Sequence, residues 1–313
     1  MEYSRKNPRR HSALLALIVW LLAGQASAQP ENLALVREKT KTQLQEIVGS
    51  VRGAMGFVAF DLVRGERFAA NENLVFPQAS AIKIPILMEV FKQVHDGKIK
   101  FSDMLWVERK KQVGGSGILF ELGDHTSQLS IHDLCVLMIL MSDNTATNML
   151  LDRLGMDNVN HTLRSLGLSR TKVQRRMIDQ AASGRGDENV STPTEAARIM
   201  EILFKGEFID RAVCDGVLEI LKRPKSERGV IGSAVPASVP VAFKPGGLAG
   251  VMTEWALVYL EGYPFVVVVM ENYALEGEAE PATRKIAGTL YDYFSRVGSA
   301  TRNGTYVPQS LIK

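Results

Sequence analysis

The chain has 313 residues, 46% of them apolar and 23% charged, with a formal net charge of +3. That length supports a sizeable core in one or two domains, and the composition excludes collagen-like, disordered and disulfide-scaffold classes. Arg5, Lys6, Arg9 and Arg10 against Glu2 carry the whole excess, so the chain after residue 28 is neutral and gives no argument for a nucleic-acid partner or an acidic membrane surface.

Those four cations open a recognisable leader. An apolar stretch runs from Ala13 to Ala23, and Ala26-Ser27-Ala28 follows as a small-x-small cleavage site. Residues 1–28 therefore read as a secretory signal peptide. The stretch is short of the roughly 20 residues that span a bilayer, so no stable membrane insertion is expected after cleavage. The chain is expected to be exported, with the periplasm as its compartment. Export permits oxidation of Cys135 and Cys214. Cys135 nevertheless lies in an apolar helical pattern, which predicts a buried free thiol. The five histidines are scattered, without paired His or Cys-x-x-Cys spacing. No metal and no cofactor are expected.

The elements follow in order. Residues 31–52 show a helical apolar period through Leu33, Leu35, Val36, Leu44, Ile47 and Val48. Strands are predicted over 57–62 and 67–70, joined at Arg64-Gly65. An irregular lead over 72–78 enters a helix from Ser80 to about Val94, with Pro85 in its first turn, where a missing N–H does least harm. Helices are then predicted over 131–141 with Ser130 as N-cap, 144–154, 157–166, 193–205 with Thr192 as N-cap and Pro193 next, and 208–222. A long polar stretch spans 167–191, a length that marks a functional loop or disorder. Strands return over 239–244, 254–260 and 264–270, with Glu261-Gly262 as a turn, and a helix over 282–296 closes the chain.

Segregated β runs argue for an α+β fold rather than an alternating parallel sheet. The expectation is an antiparallel five-stranded sheet flanked by the terminal helices, with an inserted all-helical lobe. In residues, the sheet lobe takes 29–79 and 225–313 and the helical lobe takes 80–224. Ser80 falls at the seam between them, where clefts form.

Ser80 and Lys83 stand three apart, which puts them on one helical face. An amine so placed can take the proton of the hydroxyl, which is otherwise a poor nucleophile. Ser-x-x-Lys alone is a weak signal. Here Ser142-Asp143-Asn144 and then Lys244-Pro245-Gly246 follow in order. Gly114-Gly115-Ser116-Gly117 lacks the Lys-Thr of a phosphate loop and reads as a cleft rim, with Trp106 near it as core or substrate contact. Asp143 reads as a helix cap.

With these motifs the chain resembles the penicillin-recognising serine enzymes, and among them class A β-lactamases and their carboxypeptidase-like relatives. The resemblance covers roughly 31–297 and includes Thr192-Pro193 closing the long loop. It implies that Ser80 attacks an amide carbonyl, that Lys83 takes or relays its proton, and that Ser142 passes a proton to the leaving nitrogen. It implies further that Lys244 holds Ser142 and draws the substrate carboxylate, and that Asn144 binds the substrate side-chain amide. The N–H groups of Ser80 and Gly247 would form the oxyanion hole, with Gly246 and Gly247 letting the strand approach the ligand closely. The implied partner is a small-molecule β-lactam or a cell-wall peptide, met by a monomer.

Two positions depart from that family. Pro245 replaces the Thr or Ser of the third motif, and Thr253 stands where an arginine for the carboxylate is usual. The long loop also lacks the expected water-activating glutamate. Asp179 is the nearest carboxylate and is taken as the candidate for that role, against a structural ion pair with a loop arginine; Glu188 and Asn189 lie too close to Thr192-Pro193 for the usual spacing. The leading expectation is a β-lactam hydrolase working through an acyl-Ser80 intermediate. The alternatives are a D-alanyl-D-alanine carboxypeptidase, or a penicillin-binding protein acylated with slow release.

Overall fold

A computed structural model describes residues 31–223, 227–275, 277–301 and 303–306; the leader read over 1–28 lies outside them. Helix α1 (Glu31–Gly49) leads into the hairpin β1 (Ala54–Asp61) and β2 (Arg67–Ala70). Its turn is fixed by the Asp61 carboxylate, which accepts from the N–H groups of Val63, Arg64 and Glu66. Then come β3 (Phe76–Pro77), a 3-10 turn (Ala79–Ile82), α2 (Lys83–His95), β4 (Met104–Trp106) and β5 (Gln128–Ser130). The helical stretch follows as α3 (Ile131–Leu140), α4 (Asn144–Leu154), α5 (Met156–Ser165), the short α6 (Gln180–Gly184), β6 (Val190–Ser191), α7 (Pro193–Lys205), α8 (Arg211–Lys222) and α9 (Gly229–Ser233). Strands β7 (Val241–Leu248), β8 (Val251–Val258) and β9 (Phe265–Asn272) lead to α10 (Ala279–Ser299).

The helices start where side-chain oxygens meet free backbone donors. Ser130, Asp143, Thr192 and Asp210 accept from the N–H groups of Asp133, Ala146, Glu195 and Val213. Each such cap is worth about 1 kcal/mol. Asp179 does the same for Ala182 at the start of α6.

One antiparallel sheet takes the order β2-β1-β9-β8-β7. Period-two alternation sorts its side chains between two cores. Val58, Trp255, Leu257, Val266, Val268 and Met270 face the helical lobe. Phe57, Ala59, Ala256, Val258, Val267 and Val269 face the side covered by α1, α9 and α10. Because β9 is central and buried on both faces, its run of four valines needs no polar alternation. On β7, Ala242 belongs to the helical-lobe face, so Lys244 two residues on points the same way.

Three local differences from the sequence reading have physical causes. Ser80 sits in a 3-10 turn and the α-helix proper begins at Lys83. Strands β7 and β8 run on through Pro245–Leu248 and Val251–Thr253, a Gly- and Pro-rich stretch that reads as loop. Pro245 is tolerated because β7 is an edge strand, where a missing N–H breaks no essential ladder bond. Strands β3 and β6 pair Phe76 with Ser191 and Pro77 with Val190, inside segments read as irregular; two residues are too few to show a period.

Candidate active site

The site is assembled at the seam from four segments. Ser80 is half-buried in the 3-10 turn, and Lys83, at the first position of α2, has no solvent exposure. In a 3-10 turn residues three apart eclipse each other, so the amine and hydroxyl face one another. Lys83 Nζ lies 3.1 Å from Ser80 Oγ. It also donates within 2.7 Å of the Ser142 carbonyl, 3.1 Å of Ser142 Oγ and 2.9 Å of Asn144 Oδ1. Lys244 reaches across from β7 and donates to Ser142 Oγ at 3.1 Å and to the Pro245 carbonyl at 3.1 Å. The Ser142 hydroxyl therefore bridges two lysines.

Ser142 joins α3 to α4 with φ of 52°, a left-handed conformation uncommon outside glycine. Asp143 beside it holds that turn in place. Its carboxylate caps α4 through the Ala146 N–H at 2.8 Å and accepts from the N–H groups of Ile118 and Leu119 at 2.7 and 2.9 Å. Gly117 passes so close that a Cβ there would lie 2.1 Å from Asp143 Oδ2. The rim loop over 114–119 is thus tied to the helix that carries Asn144, whose Nδ2 donates to the Gly114 carbonyl at 2.9 Å. Trp106 is exposed and packs beside His125.

Burial and the neighbouring Lys244 charge hold the Lys83 amine well below the usual lysine range, with the Asp143 carboxylate opposing the shift. A buried amine that sheds its proton readily, in contact with a half-buried hydroxyl, is suited to deprotonating it.

Gly246 brings β7 against the nucleophile turn. A Cβ at this position would lie 2.6 Å from the Gln78 carbonyl oxygen, 2.7 Å from Ser80 N and 2.8 Å from Ala81 N. Gly247 is exposed, and it lines a cleft of about 640 Å³ together with Ser80, Asn144, Gly115, Ile178 and Leu248.

Asp179 and Glu188 also line this cleft. Asp179 Oδ1 is engaged as the cap of α6, accepting from Ala182 N at 2.9 Å, and no ion pair to a loop arginine involves it among the described residues. The arginine of the loop pairs with Glu188 instead: Arg175 Nε and Nη2 donate to Glu188 Oε2 at 3.0 and 2.9 Å, and Ser183 Oγ donates to Oε1. Both Glu188 oxygens are thus engaged, and one oxygen of Asp179. Buried Met177 and exposed Ile178 add apolar surface to the loop wall of the cleft; Asn148 clamps the Met177 backbone with its amide. Asn189 takes the structural position within the loop, accepting from Gln174 N and Arg175 N. Thr253 points away from solvent, its hydroxyl 3.3 Å from Gln78 Oε1. Gln78 itself carried no sequence signal, since a single polar residue before a motif has no pattern.

A serine hydroxyl, a buried amine with a lowered affinity for protons, and a second hydroxyl held by a second lysine define a serine acyl-transfer site on an α+β scaffold. The model of the beta-lactamase enzyme family matches residues 39–294, and the chain belongs to that family. An imipenem-hydrolyzing beta-lactamase of Enterobacter cloacae is 24% identical over 250 residues, covering 78% of this chain and 85% of that protein. A beta-lactamase structure from Sphaerobacter thermophilus superposes with a TM-score of 0.75 at 28% identity, covering 82% of this chain and 97% of that one. A variant of PBP-A, solved as its acyl-enzyme complex with penicillin G, superposes with a TM-score of 0.76 at 26% identity over 82% and 97% of the two chains.

Proposed function

We propose that this chain is an exported serine hydrolase that opens the β-lactam ring through an acyl-enzyme on Ser80. The observation that carries the reading is the unbroken set of contacts from Ser80 through Lys83 and Ser142 to Lys244, each at 3.1 Å. In this reading Lys83 removes the Ser80 proton as Ser80 Oγ attacks the lactam carbonyl. The oxyanion is met by the N–H groups of Ser80 and Gly247; one such donor is typically worth about 10²–10³ in rate. The ring C–N bond then breaks and Ser142 passes a proton to the leaving nitrogen, with Lys244 steadying Ser142 and drawing the substrate carboxylate. Asn144 binds the acylamino side chain, and Gly246 permits the close approach of β7. Hydrolysis of the ester by water completes the cycle. The leader over 1–28 directs the chain out of the cytoplasm, and the periplasm fits the family.

The test is to mix the purified protein with a chromogenic cephalosporin and follow both colour and mass. Sustained turnover with a transient adduct on Ser80, lost in Ser80→Ala, is expected. A stoichiometric burst with a lasting adduct would instead mark a penicillin-binding protein. Release of D-alanine from a short peptide without lactam turnover would mark a carboxypeptidase. No adduct and no turnover with either substrate would overturn the reading.

A further inference from the structure

We infer that Gln78 is a positioning residue for acyl transfer: its buried carboxamide ties the nucleophile turn to strand β8 and so fixes the separation of the Ser80 and Gly247 N–H groups. This rests on the acyl-transfer reading above. Gln78 is completely buried. Its Nε2 donates to the Phe76 carbonyl at 2.8 Å and lies 3.2 Å from Met270 Sδ. Its Oε1 accepts from Trp255 Nε1 at 2.9 Å and from Thr253 Oγ1 at 3.3 Å. Its backbone N–H donates to the Asn189 carbonyl at 2.8 Å, and its own carbonyl accepts from Ala81 N at 2.9 Å. One residue thereby joins β3, the nucleophile turn, β8, β9 and the end of the long loop.

Two features show what this junction controls. The next residue, Ala79, has φ of 43° and is buried. A non-glycine residue persists in that region only where its surroundings over-determine it. The bonds on Gln78 supply that determination immediately before Ser80. The second feature is register. In the β7–β8 ladder Thr253 lies opposite Gly246 and Met252 opposite Gly247. The carboxamide therefore grips β8 directly across from Gly246, the glycine packed against the turn. One oxyanion donor belongs to the turn and the other to β7, and this carboxamide bridge, through β8, is a side-chain link between their two supports. An apolar residue of similar volume would fill the space without setting that distance, and a shift of about 1 Å can cost about 10²-fold in rate.

The test compares wild type, Gln78→Met, Trp255→Phe and the double variant. Two single-turnover rates are read at Ser80: acylation by a chromogenic cephalosporin and phosphonylation by a fluorophosphonate, which needs the same oxyanion donors but no lactam recognition. Each single variant is expected to react about 10- to 100-fold more slowly with both reagents, the range of an impaired oxyanion donor. The non-covalent dissociation constant of the cephalosporin should stay within about threefold, and the double variant should be no slower than the slower single, because both changes break one bridge. Trp255→Phe removes the shorter of the two bonds from β8 and leaves the Thr253 bond, so it decides the matter if Gln78→Met does not fold. Wild-type rates in folded variants, losses that appear only in the dissociation constant, or multiplicative losses in the double variant would overturn the inference. A wild-type protein that takes the fluorophosphonate but not the cephalosporin would defeat the lactam reading, and the role of Gln78 would then be read from phosphonylation alone.

Discussion

Gly246→Ala tests how closely β7 must approach the nucleophile. The added methyl carbon would lie 2.6 Å from the Gln78 carbonyl oxygen, 2.7 Å from Ser80 N and 2.8 Å from Ala81 N. All three are backbone atoms, so no flexible side chain can swing aside. To regain ordinary contact the strand and the turn must part by roughly 0.6–0.8 Å. Overpacking of this kind typically costs about 1–3 kcal/mol of stability. The larger effect falls on reactivity. Gly247 follows on the same strand, and widening the gap to Ser80 spoils both oxyanion bonds together. A misplacement of about 1 Å can cost about 10²-fold, and loss of one donor about 10²–10³-fold. Acylation of Ser80 by a chromogenic cephalosporin, followed by stopped flow, should therefore slow about 10²-fold or more, with thermal unfolding confirming a folded protein. A folded Gly246→Ala protein acylated within a few-fold of wild type would refute the argument that this contact sets the oxyanion geometry.

Other outcomes follow from the same structure. The Lys244 charge helps depress the proton affinity of Lys83, so Lys244→Gln should raise the pKa of Lys83 and move the acid limb of the acylation pH profile to higher pH; an unmoved limb would contradict this. Glu271 is buried with neither carboxylate oxygen hydrogen-bonded among the described residues, and burial, with Glu278 adding, pushes it up to about 7 from 4.5. The folded chain keeps this proton while the unfolded chain releases it, so stability is lost as pH rises from 4.5 through about 7. Glu271→Gln should gain about 2–3 kcal/mol at pH 8 and little at pH 4, read by urea unfolding at both pH values. Asp179→Asn preserves an N-cap acceptor and should leave acylation and deacylation each within about threefold of wild type; selective slowing of deacylation would restore a water-activating role. Both oxygens of Glu188 and one of Asp179 are engaged, so acyl release should be slower than acylation; a missing general base costs about 10²–10⁴-fold, and pre-steady-state bursts will reveal the imbalance.

Much of the architecture can be read from periodicity. The apolar runs at 57–62, 264–270 and 131–141 mark strands and a helix because burial selects side chains with period two or 3.6. The Ser80 to Lys83 spacing says which two groups meet, since local geometry brings residues three apart together. What periodicity misses is set by tertiary contact. Pro245 to Leu248 reads as loop, yet β8 and the nucleophile turn hold it as strand. Asp179 stands as the N-cap of a five-residue helix that no apolar period announces. The Arg175 to Glu188 pair joins residues 13 apart with no pattern between them. Gln78 is legible only once Trp255 and Thr253 are seen around it.

The four oxygen neighbours of Lys83 Nζ have a directional consequence. Two of them, the Ser142 carbonyl and Asn144 Oδ1, can only accept hydrogen. A neutral amine has two hydrogens and one lone pair, so these two acceptors consume both hydrogens. The electron pair that remains can accept from one hydroxyl at a time, that of Ser80 or that of Ser142, each 3.1 Å away.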